Sequence, residues 1–223
     1  MQLSNHVIPF LEDLKKNNVR EWFQDNQKRY DAYKKEYRKL VEEFIEQLSK
    51  YDEDLKHLEF KNCSFRINRD IRFSKDKSPY KTHMGIWMSG GNKEWTRGGY
   101  YVHIEKGASF IAAGLHNPEA NELKKMRREI SGFYEDLDEI LDNRDFKKLF
   151  EDLDRENSLK TAPKDFEKDH PAIENLKLKS FTVTAKLSDK DLESNDFVKE
   201  TVKKLAVAKP LVEYINRALT TEE

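Results

Sequence analysis

The 223-residue chain is short of cysteine, glycine and proline, with one, eight and six respectively. One cysteine, Cys63, excludes an internal disulfide and fits a reducing compartment, where it reads as a small packing residue. No run of about 18 apolar residues is available to span a membrane, and the opening MQLSNHVIPF lacks the basic start and long apolar core of a secretory signal. The expected location is therefore cytoplasmic, with no membrane partner. There is no phosphate-loop glycine pattern, no nucleophile elbow and no kinase motif. No repeat or low-complexity linker divides the chain, so residues 1–223 are read as one domain. A net excess of charge is missing too: 41 basic residues face 42 acidic ones. That balance excludes a surface that clamps nucleic acid over its whole extent, and leaves room for a local patch.

What is present is charge of both signs at high density, 37% of residues, and an aromatic complement of 11%. Leu3, Val7, Phe10, Leu11 and Leu14 recur at helical spacing up to Asn17 and Asn18. Asn18 and Glu21 read as a capping pair for a long amphipathic helix carrying Trp22, Asn26, Tyr30, Tyr33, Tyr37, Val41, Phe44 and Leu48. Its aromatic stripe is read as core rather than as a stacking platform. The period then changes. Tyr80, Thr82, Met84, Ile86 and Met88 alternate with Lys81, His83 and Trp87. Tyr100, Val102 and Ile104 alternate with Tyr101, His103 and Glu105, and Lys106-Gly107 turns this strand into a hairpin. A helix opens at Asn117-Pro118-Glu119, and short helices follow around Leu137 and Phe146. Phe181, Val183 and Ala185 mark a last strand, and helices interrupted at Pro210 close the chain. The expected fold is α+β: a mainly antiparallel sheet with helices packed on one face, a long N-terminal helix and C-terminal helices.

One segment stands out. FRINRDIRFSKDKSPYKTH, Phe65 to His83, holds seven basic residues and two aspartates in nineteen positions. Read as a strand, it puts Phe65, Ile67, Ile71 and Phe73 on one face with Arg69, and Arg66, Asn68, Asp70 and Arg72 on the other. Arg69 among apolar neighbours must either be re-aimed by a bulge or grip a carboxylate, because an uncompensated buried charge is costly. On the polar face Arg66, Arg72, Lys81 and His83 would meet Tyr101, His103 and Glu105. Arginine forks suit bidentate carboxylate or phosphate, so the expected function is binding of a small anion at Arg66, Arg69, Arg72, Lys77, Lys81 and His83, with Asp70, Asp76, Tyr80, Tyr101 and His103 in support.

The pattern Arg66, Arg69-Asp70, Arg72-Phe73, Asp76-Lys77 and Tyr80 resembles the signature of a bacterial and fungal family, domain of unknown function 2461. FLEDLKKNNVREWFQDNQKRY and GGYYVHIEKGASFIAAGLHNPE also resemble it. The resemblance implies a fold and singles out the charged segment, and implies no activity. Alternatives to the anion-binding reading are an enzyme acting on a phosphorylated small molecule or nucleotide, with Asp70, Asp76, His83 or His103 moving protons, and a protein-interaction or structural domain. Nucleic acid is a further candidate partner through Lys93, Trp95 and Arg97 in SGGNKEWTRGG. His83, His103 and His116 lack the tight spacing of known zinc motifs, so no metal and no cofactor is expected.

Overall fold

The computed structural model describes Leu3, residues 6–91 and residues 96–221. Lys93 and Trp95 lie outside the described residues. The chain runs α1 (Val7–Lys16), α2 (Arg20–Asp25), α3 (Gln27–Leu48), a 3-10 turn at Glu53–Leu55, α4 (Phe60–Cys63), β1 (Met84–Met88), β2 (Gly99–Ile104) and β3 (Phe110–Leu115). It continues through α5 (Ala120–Gly132), α6 (Tyr134–Asp142), α7 (Arg144–Phe150), α8 (Ile173–Leu176), β4 (Phe181–Lys186), α9 (Asp189–Glu193), α10 (Phe197–Val207) and α11 (Lys209–Thr220).

The four strands pair in sequence order, every neighbour antiparallel. Because side chains alternate along a strand, this register sorts the residues into two faces. Met84, Ile86, Met88, Tyr100, Val102, Ile104, Ile111, Ala113, Leu115, Phe181 and Val183 form the face buried under α3, α10 and α11. Gly85, Trp87, Tyr101, His103, Phe110, Ala112, Gly114, Thr182 and Thr184 form the opposite face, on which the candidate site is built. The fold is α+β, with a purely antiparallel sheet among the described residues.

The long helix expected from Trp22 onward is divided at Asn26. The Asn26 side chain and its own backbone N–H both donate to the Trp22 carbonyl, at 2.9 and 3.1 Å, which closes α2 before α3 begins. A short polar side chain competing for a nearby carbonyl is a common cause of such a break. The aromatic stripe is core, as read: Phe10, Tyr33 and Tyr37 are buried and in ring contact, with Trp22 and Tyr30 packed beside them. Asn18 is not a cap. Val19 holds that position, and the Asn18 amide instead grips the backbone of Tyr80, donating to its carbonyl at 2.9 Å and accepting from its N–H at 3.0 Å.

The segment read as a strand from Phe65 is not one. Among the described residues its β-type pairing is limited to two isolated bridges, Ser64 with Ile86 and Asn68 with Tyr80, and Phe73 is 95% exposed instead of lying on a buried face. Between the bridges the chain is a loop held by its own side chains.

Candidate functional site

The loop is organised around Arg69. Its Nη1 donates to Asp76 Oδ2 at 2.5 Å and to the Ser78 carbonyl at 3.0 Å, so this arginine grips a carboxylate, the second of the two resolutions its position demanded. Asp76 in turn accepts from the Ser78 hydroxyl and N–H. The Ser78 hydroxyl and N–H, with the Arg69 guanidinium beside them, pull the Asp76 carboxyl down to about 2. Arg72 binds Asp70 through two parallel bonds, Nε to Oδ1 at 3.0 Å and Nη2 to Oδ2 at 2.7 Å, and these hold the Asp70 carboxyl below its ordinary value. Lys77 donates to the Ile71 carbonyl. Tyr80 stacks on Phe23, with centroids 4.1 Å apart, and fixes the end of the loop. Arg69, Arg72, Lys77, Asp70, Asp76 and Tyr80 are thus occupied in building the loop.

The remaining expected residues converge elsewhere. Arg66, Lys81, His83 and Tyr101 line one cleft of about 140 Å³, together with Phe65, Tyr33, Tyr37 and Gly85. Tyr37 sets the wall: its hydroxyl donates to the Gly85 carbonyl and accepts from the Phe65 N–H at 3.0 Å, which ties α3 to β1 and to the start of the loop. Lys81 Nζ donates to the Arg66 carbonyl at 3.0 Å and lies 5.2 Å from the centroid of the Phe65 ring. Burial, and then the nearby Arg66 guanidinium, pull the Lys81 ammonium below its ordinary value. Among the described residues no carboxylate lies within ion-pairing distance of either Arg66 or Lys81.

Beside the cleft runs a polar chain on the same sheet face. Tyr101 Oη lies 3.1 Å from His103 Nδ1, His103 Nε2 lies 3.4 Å from Glu105 Oε2, and Lys15 donates to Glu105 Oε1 at 2.8 Å. His83 stacks on His103 with centroids 4.3 Å apart, and Phe110 covers the other side of His103 at 4.7 Å. Burial, followed by the His103 ring, lowers His83 to about 4, and burial likewise lowers His103. Both shifts favour the neutral ring. Burial alone would raise Glu105, but the Lys15 and His103 contacts together carry it below its ordinary value.

A larger groove of about 610 Å³ continues from the cleft, sharing Phe65 and Tyr101 with it. Trp87, Phe110, Ala112 and Gly114 form its floor, and Asp154, which accepts from the hydroxyls of Thr182 and Thr184 at 2.9 and 3.0 Å, forms its polar edge. Sequence reasoning missed this groove because its residues are individually ordinary. The signal that could have found it is the pair of small residues Ala112 and Gly114 on alternate positions, which leaves space on the open face. His116 lies in this groove, bonded to the Asn117 amide, and stays apart from His83 and His103. Arg97 lies in a different depression, among Asp52, Glu53, Asp54 and Glu213.

Among the described residues no helix is long and apolar enough to cross a membrane. No curated protein and no solved structure matches the chain. A family model described as conserved hypothetical protein (DUF2461) does match, over residues 6–214, a span that takes in the arginine loop, the cleft and all four strands. The chain belongs to that family, domain of unknown function 2461.

Proposed function

We propose that this protein binds a small anion, with a phosphate or carboxylate group held by Arg66, Lys81 and His83. The observation that carries the reading is the presence of two cations, Arg66 and Lys81, in one cleft with no carboxylate at ion-pair distance of either among the described residues, Asp70 feeling the Arg66 charge from farther away. Like charges that lower one another's proton affinity are destabilising alone, and an incoming anion relieves them. Arg66 supplies a planar fork, Lys81 a point charge, and the neutral His83 ring a hydrogen bond. Arg69 and Arg72 act one step removed, by building the loop from which Arg66 projects. The continuous groove favours a ligand whose anionic head enters the cleft while an apolar or planar body lies over Phe65 and Tyr101.

A second reading, an enzyme acting on a phosphorylated small molecule or nucleotide, is supported by one feature. The Tyr101–His103–Glu105–Lys15 chain ends beside the cleft and joins neutral imidazole to a charged carboxylate, an arrangement able to pass a proton.

Thermal-shift measurements against inorganic phosphate, nucleotides, sugar phosphates and short oligonucleotides test the binding reading. A ligand at about 100 times its Kd adds about 2.7 kcal/mol, which moves the Tm of a chain this long by roughly 5 to 10 °C. Arg66→Ala is expected to abolish that shift while melting close to wild type. Arg72→Ala, which breaks a local pair only, is expected to keep the shift. A ligand response that survives intact in Arg66→Ala defeats the reading.

A further inference from the structure

His83, His103 and Glu105 each place one ligand-capable atom within 4.8 Å of the other two. Their closeness follows from the strand register. Met84 pairs with Ile104 and Gly85 with His103, so His83 and Glu105 sit one residue beyond the last pair of the ladder, next to each other at its end, with His103 close by on β2. Neighbours in this relation are near enough for their side chains to converge on one point. Gly85, opposite His103, contributes no side chain to crowd the space.

We infer that these three residues form a binding site for a divalent first-row transition metal ion, zinc being the simplest occupant. Two imidazoles and one carboxylate are a donor set used repeatedly for such ions, with the remaining positions left to water or ligand. His103 Nε2 and Glu105 Oε2 are 3.4 Å apart, beyond the usual N–H···O range of about 2.7 to 3.2 Å. The same separation is the edge of a tetrahedron whose centre lies about 2.1 Å from each corner, the length of a zinc bond to nitrogen or oxygen. The third donor, on His83, lies within 4.8 Å of the other two.

The surroundings are those of a supported site. Tyr101 Oη at His103 Nδ1 orients the ring and turns Nε2 toward Glu105, and Phe110 stacked behind it prevents swivelling. Lys15 holds Glu105 Oε1 and leaves Oε2 to the ion. Outer contacts of this kind, here a hydrogen bond to the far nitrogen of His103 and one to the spare oxygen of Glu105, accompany metal ligands generally. His83 also lines the cleft of Arg66 and Lys81, so the proposed site adjoins that cleft. The inference shares His83 with the anion reading and otherwise rests on His103 and Glu105, which that reading does not use.

Titration of chelator-stripped full-length protein with ZnCl₂ by calorimetry, with elemental analysis after dialysis, tests the site. The expected result is one equivalent of zinc with micromolar or tighter Kd. Glu105→Gln, which keeps the shape of the side chain and its contact to Lys15, is expected to weaken binding at least tenfold, and His103→Ala and His83→Ala more. His116→Ala and Arg66→Ala are expected to bind zinc as wild type does. Circular dichroism identifies any variant that fails to fold, and Glu105→Gln then decides alone. Absence of saturable binding by the wild-type chain, or undiminished binding by Glu105→Gln, overturns the inference. Loss of phosphate response with zinc binding retained in Arg66→Ala separates the two sites.

Discussion

A β-carbon built on Gly85 would lie 2.7 Å from Tyr101 Oη and 3.2 Å from the Phe65 ring, so the tyrosine occupies space that only glycine leaves open. Gly85→Ala is expected to push Tyr101 aside, break its contact with His103 and narrow the cleft. The check is phosphate and zinc titration of the variant, with at least a tenfold loss of affinity in each and little change in melting. Asp76 gives a second residue-level prediction. Its folded pKa of about 2 lies below the ordinary carboxylate value, so the loop gains stability that is fully present above about pH 4 and is lost as pH falls through about 2. Side-chain carboxyl NMR should show the Asp76 midpoint near 2, with amide protection across residues 69–78 falling in the same window. Asp76→Asn should remove that pH dependence while the buried core titrates unchanged.

The elements differ in how far they could be read in advance, and the difference has a physical origin. In α1, α3, β2, β3, β4 and α11 the apolar residues repeat with the period of the element, because one face of each packs on a common core. Phe44 of α3 meets Phe197 of α10 edge to face at 5.9 Å, and both are fully buried. Phe44→Ala is expected to cost about 3 to 5 kcal/mol, measured by chemical denaturation. The segment from Phe65 to Tyr80 has an equally regular alternation and forms no strand. There the decisive forces are local: Asp70 with Arg72, Asp76 with Ser78 and Arg69, and Lys77 with a carbonyl, each satisfied within a few residues. Alternation in the sequence reports a face only when a core packs against it, and Phe73 is 95% exposed, with the Arg72 guanidinium over its ring. The same segment explains why the candidate site was legible only in part. Arg66, Lys81, His83, Tyr101 and His103 were visible as types that bind anions, whereas the groove and Glu105 as a partner of two histidines depend on strand register.

At the scale of the molecule, one sheet separates two jobs. Its helix-covered face holds the core, and its open face carries the cleft, the histidine pair and the groove, so substitutions there leave the core packing in place. The order in which that sheet is assembled has its own consequence. β1, β2 and β3 form a meander with short connections, but β4 joins β3 only after the helical excursion between Leu115 and Phe181. Closing so long a segment costs entropy before any strand contact repays it, which places the docking of β4 late on the folding route. Stopped-flow experiments should therefore find that Val183→Ala mainly accelerates unfolding, whereas Val102→Ala, in the early meander, mainly slows refolding. The polar edge of the groove, Thr182 and Thr184 against Asp154, rides on that last strand. On that route the groove is completed at the end of folding, and a kinetically trapped chain lacking β4 would keep its histidines and its arginine loop while having no groove.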